Sequence, residues 1–136
     1  MKKFSGLVLV TVLLICMLCP CASAVSIQPR WDYVSSITGD LDITSGGTAA
    51  LHAEGTAANY DVTSVRITAS LQQKDGTWRE LKSWSSSSAG YMAVIDTKRW
   101  AVAHDYEYRL VITLKAYKNS TLLETATATI DYGYYD

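Results

Sequence analysis

The sequence predicts an all-β domain, an antiparallel sandwich of about seven strands in two sheets, behind an N-terminal leader. Three observations predict it. Apolar residues recur at every second position through most of residues 31–132, the period of a strand with one buried face. Gly, Ser and Asp clusters interrupt that alternation at short intervals, and no stretch carries a helical period. Strands in succession, without helices between them, pack as two antiparallel sheets around one core.

The leader comes first. Met1, Lys2 and Lys3 precede an apolar run from Phe4 to Cys21, and Ala22-Ser23-Ala24 follows. A basic start, a short apolar segment and an Ala-x-Ala site describe a secretory signal peptide. Cleavage is expected after Ala24, with Ala22 and Ala24 filling the peptidase pockets, so residues 1–24 are the signal and residues 25–136 the mature domain. Two rival fates use the same residues. Taken whole, the run is long enough to serve as a retained membrane anchor, although Pro20 breaks it. Acylation at Cys21 or Cys19 is the other, and both are poor matches to a lipidation site. All three cysteines (Cys16, Cys19, Cys21) lie in this leader, so the mature domain is expected to hold no disulfide.

In the mature domain, Trp31, Tyr33, Ser35, Ile37, Gly39, Leu41 and Ile43 form the inward series of the first strand, opposite Asp40 and Asp42. "SGG" at 45–47 is a turn, and Ala49, Leu51 and Ala53 face the core from the second strand, with His52 and Glu54 outside. A loop spans Ala57 to Asp61. Val65, Ile67, Ala69 and Leu71 mark the clearest strand, ended by the hairpin turn "KDGT" at 74–77, where Gly76 supplies the positive φ. Trp78, Leu81 and Trp84 recur at threes, so either a bulge shifts the returning strand or one tryptophan faces solvent. "SSSSAG" at 85–90 is expected as a loop. A strand with Tyr91, Ala93 and Ile95 inward follows, closed by polar "DTKR". Tyr108, Leu110, Ile112, Leu114 and Ala116 face the core from the sixth strand. Leu122, Ala126, Ala128, Ile130 and Tyr132 do so from the seventh, with Thr125, Thr127 and Thr129 outside. The tail "DYGYYD" either frays or completes that strand.

Two resemblances accompany this pattern. "VAHDYEYRLVITLKAY", residues 102–117, resembles the entry to the sixth strand of fibronectin type III and other immunoglobulin-like domains. Val102 takes the apolar position, His104-Asp105 the corner (with His104 where proline is often found) and Tyr108 the corner tyrosine. The resemblance implies an immunoglobulin-like β-sandwich whose Tyr108 hydroxyl bonds backbone a few residues upstream. The mature chain is also similar to a group of small secreted proteins of Gram-positive bacteria of unassigned function. It shares with them "IQPRW" at 27–31, "LQQKDGTW" at 71–78 and "LKSW" at 81–84. That similarity implies export and a β-rich domain, and brings no ligand or catalytic residue.

Composition narrows the activity. Twelve basic and thirteen acidic residues give a net charge of −1, interspersed without the basic patch of a nucleic-acid binder. Catalysis needs a group of tuned proton affinity beside a partner. His52 is expected on a solvent face and His104 in a corner, and the serines at 85–88 lack a nucleophile elbow. Asp40 and Asp42 share a face, too few for calcium. No cofactor and no metal are expected. Four tryptophans and nine tyrosines point instead to contacts, since aromatics on a sheet stack on sugars or anchor proteins when they are not simply packing the sheet. The candidate binding residues are Trp78 and Trp84 on the hairpin strand and Tyr106 and Tyr117 on the outer face of the sixth. The expectation is a secreted, non-enzymatic binder of an extracellular protein or glycan, with no nucleic-acid partner and no membrane contact after cleavage. It would be free in the medium or held at the envelope, its oligomeric state left open. An assembly role through edge-strand pairing is the alternative, and a hydrolytic enzyme the remote one.

Overall fold

The computed structural model describes residues 30–58 and 61–136. The expected signal peptide, with Ala22 and Ala24, lies outside the described residues. Seven strands follow one another: β1 (Val34–Ile43), β2 (Thr48–Ala57), β3 (Ser64–Asp75), β4 (Thr77–Ala89), β5 (Met92–Ala101), β6 (Tyr106–Lys118) and β7 (Thr121–Tyr135). They form a three-stranded sheet in the order β1-β2-β5 and a four-stranded sheet in the order β4-β3-β6-β7, with every pairing antiparallel. This is the expected antiparallel β-sandwich of two sheets, with its fourth strand paired to β3 in the second sheet rather than extending the first.

The alternating residues of β2, β3 and β6 meet between the sheets. Leu51, Ile67, Leu71, Leu110, Ile112 and Leu114 are fully buried there, each removing an aliphatic side chain from water for about 1.5–3 kcal/mol. Two inward glycines make room for them. A Cβ on Gly39 would stand 2.6 Å from Ile112 Cδ1, and one on Gly55 2.7 Å from Leu114 Cδ1. The corner expected at Tyr108 is present: its hydroxyl donates to the carbonyl of Ala103 at 2.6 Å and accepts from the Ala103 N–H at 3.1 Å. The chain entering β1 is tied to the opposite sheet. The carboxylate of Glu124 on β7 accepts the N–H groups of Asp32 at 3.0 Å and of Tyr33 and Val34 at 2.8 Å.

Among the described residues, every break in strand register falls on an edge strand. The extra residues are Ser35 on β1, Leu81 on β4, Asp96–Thr97 opposite His52 on β5, and Leu123 and Tyr132 on β7. The inner pair β3–β6 runs unbroken from Ser64↔Tyr117 to Lys74↔Glu107. Bulges on edges twist away backbone groups that would otherwise template another strand. They also serve the core, because Leu81, Leu123 and Tyr132 pack against it and close the flanks of the sandwich.

The bulges correct several sequence expectations. The shift at Ser35 brings Val34, which strict alternation would put on the face of Asp40 and Asp42, to 3% exposure. Leu81 is the extra residue that resolves the threefold spacing of β4, and Ser85–Ala89 continues that strand rather than forming a loop. The "DTKR" segment likewise stays within β5, accommodated by its bulge. Tyr91 is 64% exposed because it belongs to the β4–β5 turn, its carbonyl accepting the Ala57 N–H. Leu122 is 48% exposed because the bulge at Leu123 turns it to the outer face opposite Tyr117. The tail completes β7, with Tyr135 buried and its hydroxyl donating to the carbonyl of Thr44 at 3.0 Å.

Candidate functional site

The four aromatic candidates do not converge. Trp78 stands on the outer face of the four-stranded sheet, opposite Lys74. The guanidinium of Arg109 lies 4.2 Å from its ring centroid and the Lys74 ammonium 5.9 Å, so cations already cover it. Trp84 points to the other side of the same strand and packs against the core, because the Leu81 bulge lies between the two. Tyr106, expected outside, pairs with buried Tyr135 and packs against the core. It shares the parity of Tyr108, which is the physical reason for the correction. Tyr117 is on the outer face as expected, opposite Ser64. From Ser64 to Lys74 the strand rises roughly 33 Å, so Tyr117 and Trp78 occupy opposite ends of one face.

Two hollows flank β4. One lies at the seam between β4 and β5, about 290 Å³, lined by Trp84, Ser85, Ser86, Val94, Ile95, Asp96 and Lys98. Trp84 meets Trp100 of β5 edge to face, centroids 6.4 Å apart, and the Lys82 ammonium sits 5.2 Å from the Trp100 ring. This aromatic pair, of which Trp100 was not among the sequence candidates, seals the side of the core where the two sheets are not hydrogen-bonded.

The second hollow contains Tyr117. It measures about 320 Å³ and is lined by Ser64, Val65, Arg66, Ser87, Tyr117, Asn119 and Ser120. Thr63 fixes its rim. The Thr63 N–H donates to the Tyr117 carbonyl at 2.8 Å, its carbonyl accepts from the Gly90 N–H at 2.9 Å, and its hydroxyl accepts from the Asn119 N–H at 2.7 Å. Three loops are thereby held together at this end. Asn119 takes a left-handed φ of 54° in the β6–β7 turn, a conformation that asparagine tolerates.

The electrostatics of this hollow are one-sided. Arg66 stands directly opposite Lys115, in a cross-sheet row that reads Ser87–Arg66–Lys115–Thr125. The next rows are Ser85–Thr68–Thr113–Thr127 on one side and Ala89–Ser64–Tyr117–Leu122 on the other, and neither holds an acid. Ion pairs among the described residues join Lys74 to Glu107 at 3.2 Å and Lys118 to Asp61 at 2.7 Å; neither involves Arg66 or Lys115. The hydrogen bond that Lys118 donates to Asp61, and the charge of that carboxylate, hold the Lys118 amine above its ordinary pKa. The guanidinium, hydroxyl, amide and phenol groups that line the hollow, with Lys115 beside the lining and opposite Arg66, can bind and orient an oxygen-rich ligand. The histidines lie elsewhere: His52 opposite Asp40 on the outer face of the three-stranded sheet, His104 stacked on Tyr135 at 4.4 Å. Asp40 and Asp42 share that outer face, and no three His, Cys, Asp or Glu among the described residues stand together as metal ligands.

No protein-family profile matches the chain, and no curated protein matches it. Among solved structures it is similar to the β-glucuronidase of Parabacteroides merdae, at 17% identity and a TM-score of 0.46 over 75% of this chain and 13% of that one. A second structure of that enzyme, with glycerol in its active site, gives 17% identity and a TM-score of 0.47 over 75% and 14%. The chain thus spans about one part in seven of these structures, a likeness too distant to bear on activity.

Proposed function

We propose that the protein is an exported, non-enzymatic binding domain that holds an extracellular glycan or protein at the Tyr117 hollow. The signal-like leader supports export, as does the similarity to small secreted Gram-positive proteins. The observation that carries the binding reading is the hollow itself: a half-buried phenol beside a guanidinium, three serines and an asparagine, on a face that no other strand among the described residues covers. Those groups match ligand hydroxyls and oxyanions, and the aromatic ring offers apolar area for a sugar face or a side chain. A glycan array and a pull-down with residues 25–136 test it. A hit should weaken on Tyr117→Ala while thermal unfolding stays unchanged; hits indifferent to that substitution would sink the reading.

The edge-pairing alternative is disfavoured by the bulges on β1, β4, β5 and β7, since each interrupts the straight ladder an added strand needs. A protein that stays monomeric at high concentration in sedimentation would agree.

A further inference from the structure

We propose that the Tyr117 hollow binds an anionic group, a carboxylate or phosphate, carried on a polyhydroxylated chain, with Arg66 and Lys115 as its charge partners. This rests on the binding reading above and specifies its ligand. Arg66 and Lys115 face each other across the β3–β6 pair, which places their Cβ atoms about 5 Å apart. Like charges directly opposite destabilise a sheet, and among the described residues no carboxylate stands in their row or in the same-face rows on either side. Asp61 is paired with Lys118 of the β6–β7 turn. An oxyanion between the two cations would remove the repulsion and gain charge-assisted hydrogen bonds, for which the guanidinium fork is well shaped.

The surroundings extend the site. Ser87 and Thr125 end the same row, and Ser64, Asn119 and Ser120 add donors at the hollow. The neighbouring row, Ser85–Thr68–Thr113–Thr127, carries a hydroxyl on all four strands. Thr68 meets Ser85 at 3.0 Å and Thr113 meets Thr127 at 3.4 Å. Such a surface suits a ligand that itself offers hydroxyls on either side of its charge. The chain as a whole is slightly acidic, at −1, so attraction of a polyanion has to be local.

The test measures binding of residues 25–136 to polygalacturonate (carboxylate), inorganic polyphosphate (phosphate) and dextran (neutral) at low salt. At least one polyanion should bind, more weakly as salt rises. The Arg66→Gln/Lys115→Gln double variant should weaken it tenfold or more, while Lys98→Gln/Arg99→Gln, with the same change in net charge, leaves it within twofold. Preference for one polyanion names the group. Absence of binding to both, or binding that survives the double substitution, overturns the proposal. If both polyanions fail while dextran or a protein partner binds and is lost on Tyr117→Ala, the anion proposal falls and the binding reading stands. If Tyr117→Ala spares every ligand, the binding reading falls as well.

Discussion

Arg66 and Lys115 stand side by side on the outer face of the four-stranded sheet, although 48 residues separate them in the chain, with no acid in their own row or in either row beside it. That like-charge pairing has a consequence for stability that needs no ligand. Lys115→Gln should raise stability by roughly 0.2–1 kcal/mol by relieving the repulsion, read as a higher urea midpoint at unchanged slope. A lower midpoint would mean that the fold itself compensates the pair.

The corner hydroxyl of Tyr108 supports more than its own loop. It accepts from Gln73 Nε2 at 2.8 Å, and Gln73 Oε1 in turn accepts from Arg79 Nη2 at 2.6 Å. Gln73 is 3% exposed, so Tyr108→Phe strands a buried amide as well as the Ala103 backbone groups. The expected loss is about 1–3 kcal/mol, measurable by urea unfolding followed through tryptophan fluorescence. A loss no larger than that of an exposed Tyr134→Phe control would contradict the network.

The two tryptophans of β4 should separate cleanly. Trp84→Ala removes a ring packed on the core and on Trp100. It should cost about 2 kcal/mol or more, short of the ~3–5 of a fully buried aromatic. Trp78→Ala removes an outer-face ring held by Arg109 and Lys74, at a cost of about 1 kcal/mol or less. Comparable losses at both positions would argue against the bulge at Leu81.

Glu124 predicts a pH dependence. Burial pushes its carboxyl up, but the three backbone N–H groups of Asp32, Tyr33 and Val34 outweigh this and hold it below the usual glutamate value. A carboxyl depressed in the folded state stabilises above its unfolded pKa, about 4.3, and that contribution is lost as pH falls through the lower folded value. Unfolding midpoints should therefore drop below about pH 4.3 in the native protein, and less steeply in Glu124→Gln. Parallel curves for the two would show that the carboxylate does not anchor β1.

Much of the fold is legible in the residues because strand parity is a local property. Ala49-Leu51-Ala53, Val65 to Leu71 and Tyr108 to Ala116 alternate without a break and are buried as that alternation requires. These are the three inner strands, which carry no bulge. Errors concentrate where an extra residue reverses parity: Val34 beyond Ser35, Leu122 before Leu123, and the tryptophans on either side of Leu81. An edge strand pairs on one side only, so it can absorb an extra residue without disturbing a second neighbour, and alternation alone does not show where it will.

The sequence by itself determined the all-β class, the hairpin turn at Gly76, the inner faces of β2, of β3 and of β6 from Tyr108 onward, and the corner tyrosine, each set by residues close together in the chain. Only the tertiary structure decided which outer-face groups meet. Tyr117 was a candidate as an aromatic, but Arg66 and Ser87 become its neighbours through the β3–β4 and β3–β6 pairings, and the Thr63 clasp sets Asn119 at the rim. Charges that look evenly scattered along the chain become a cationic pair on one face, because antiparallel register places residues distant in sequence about 5 Å apart.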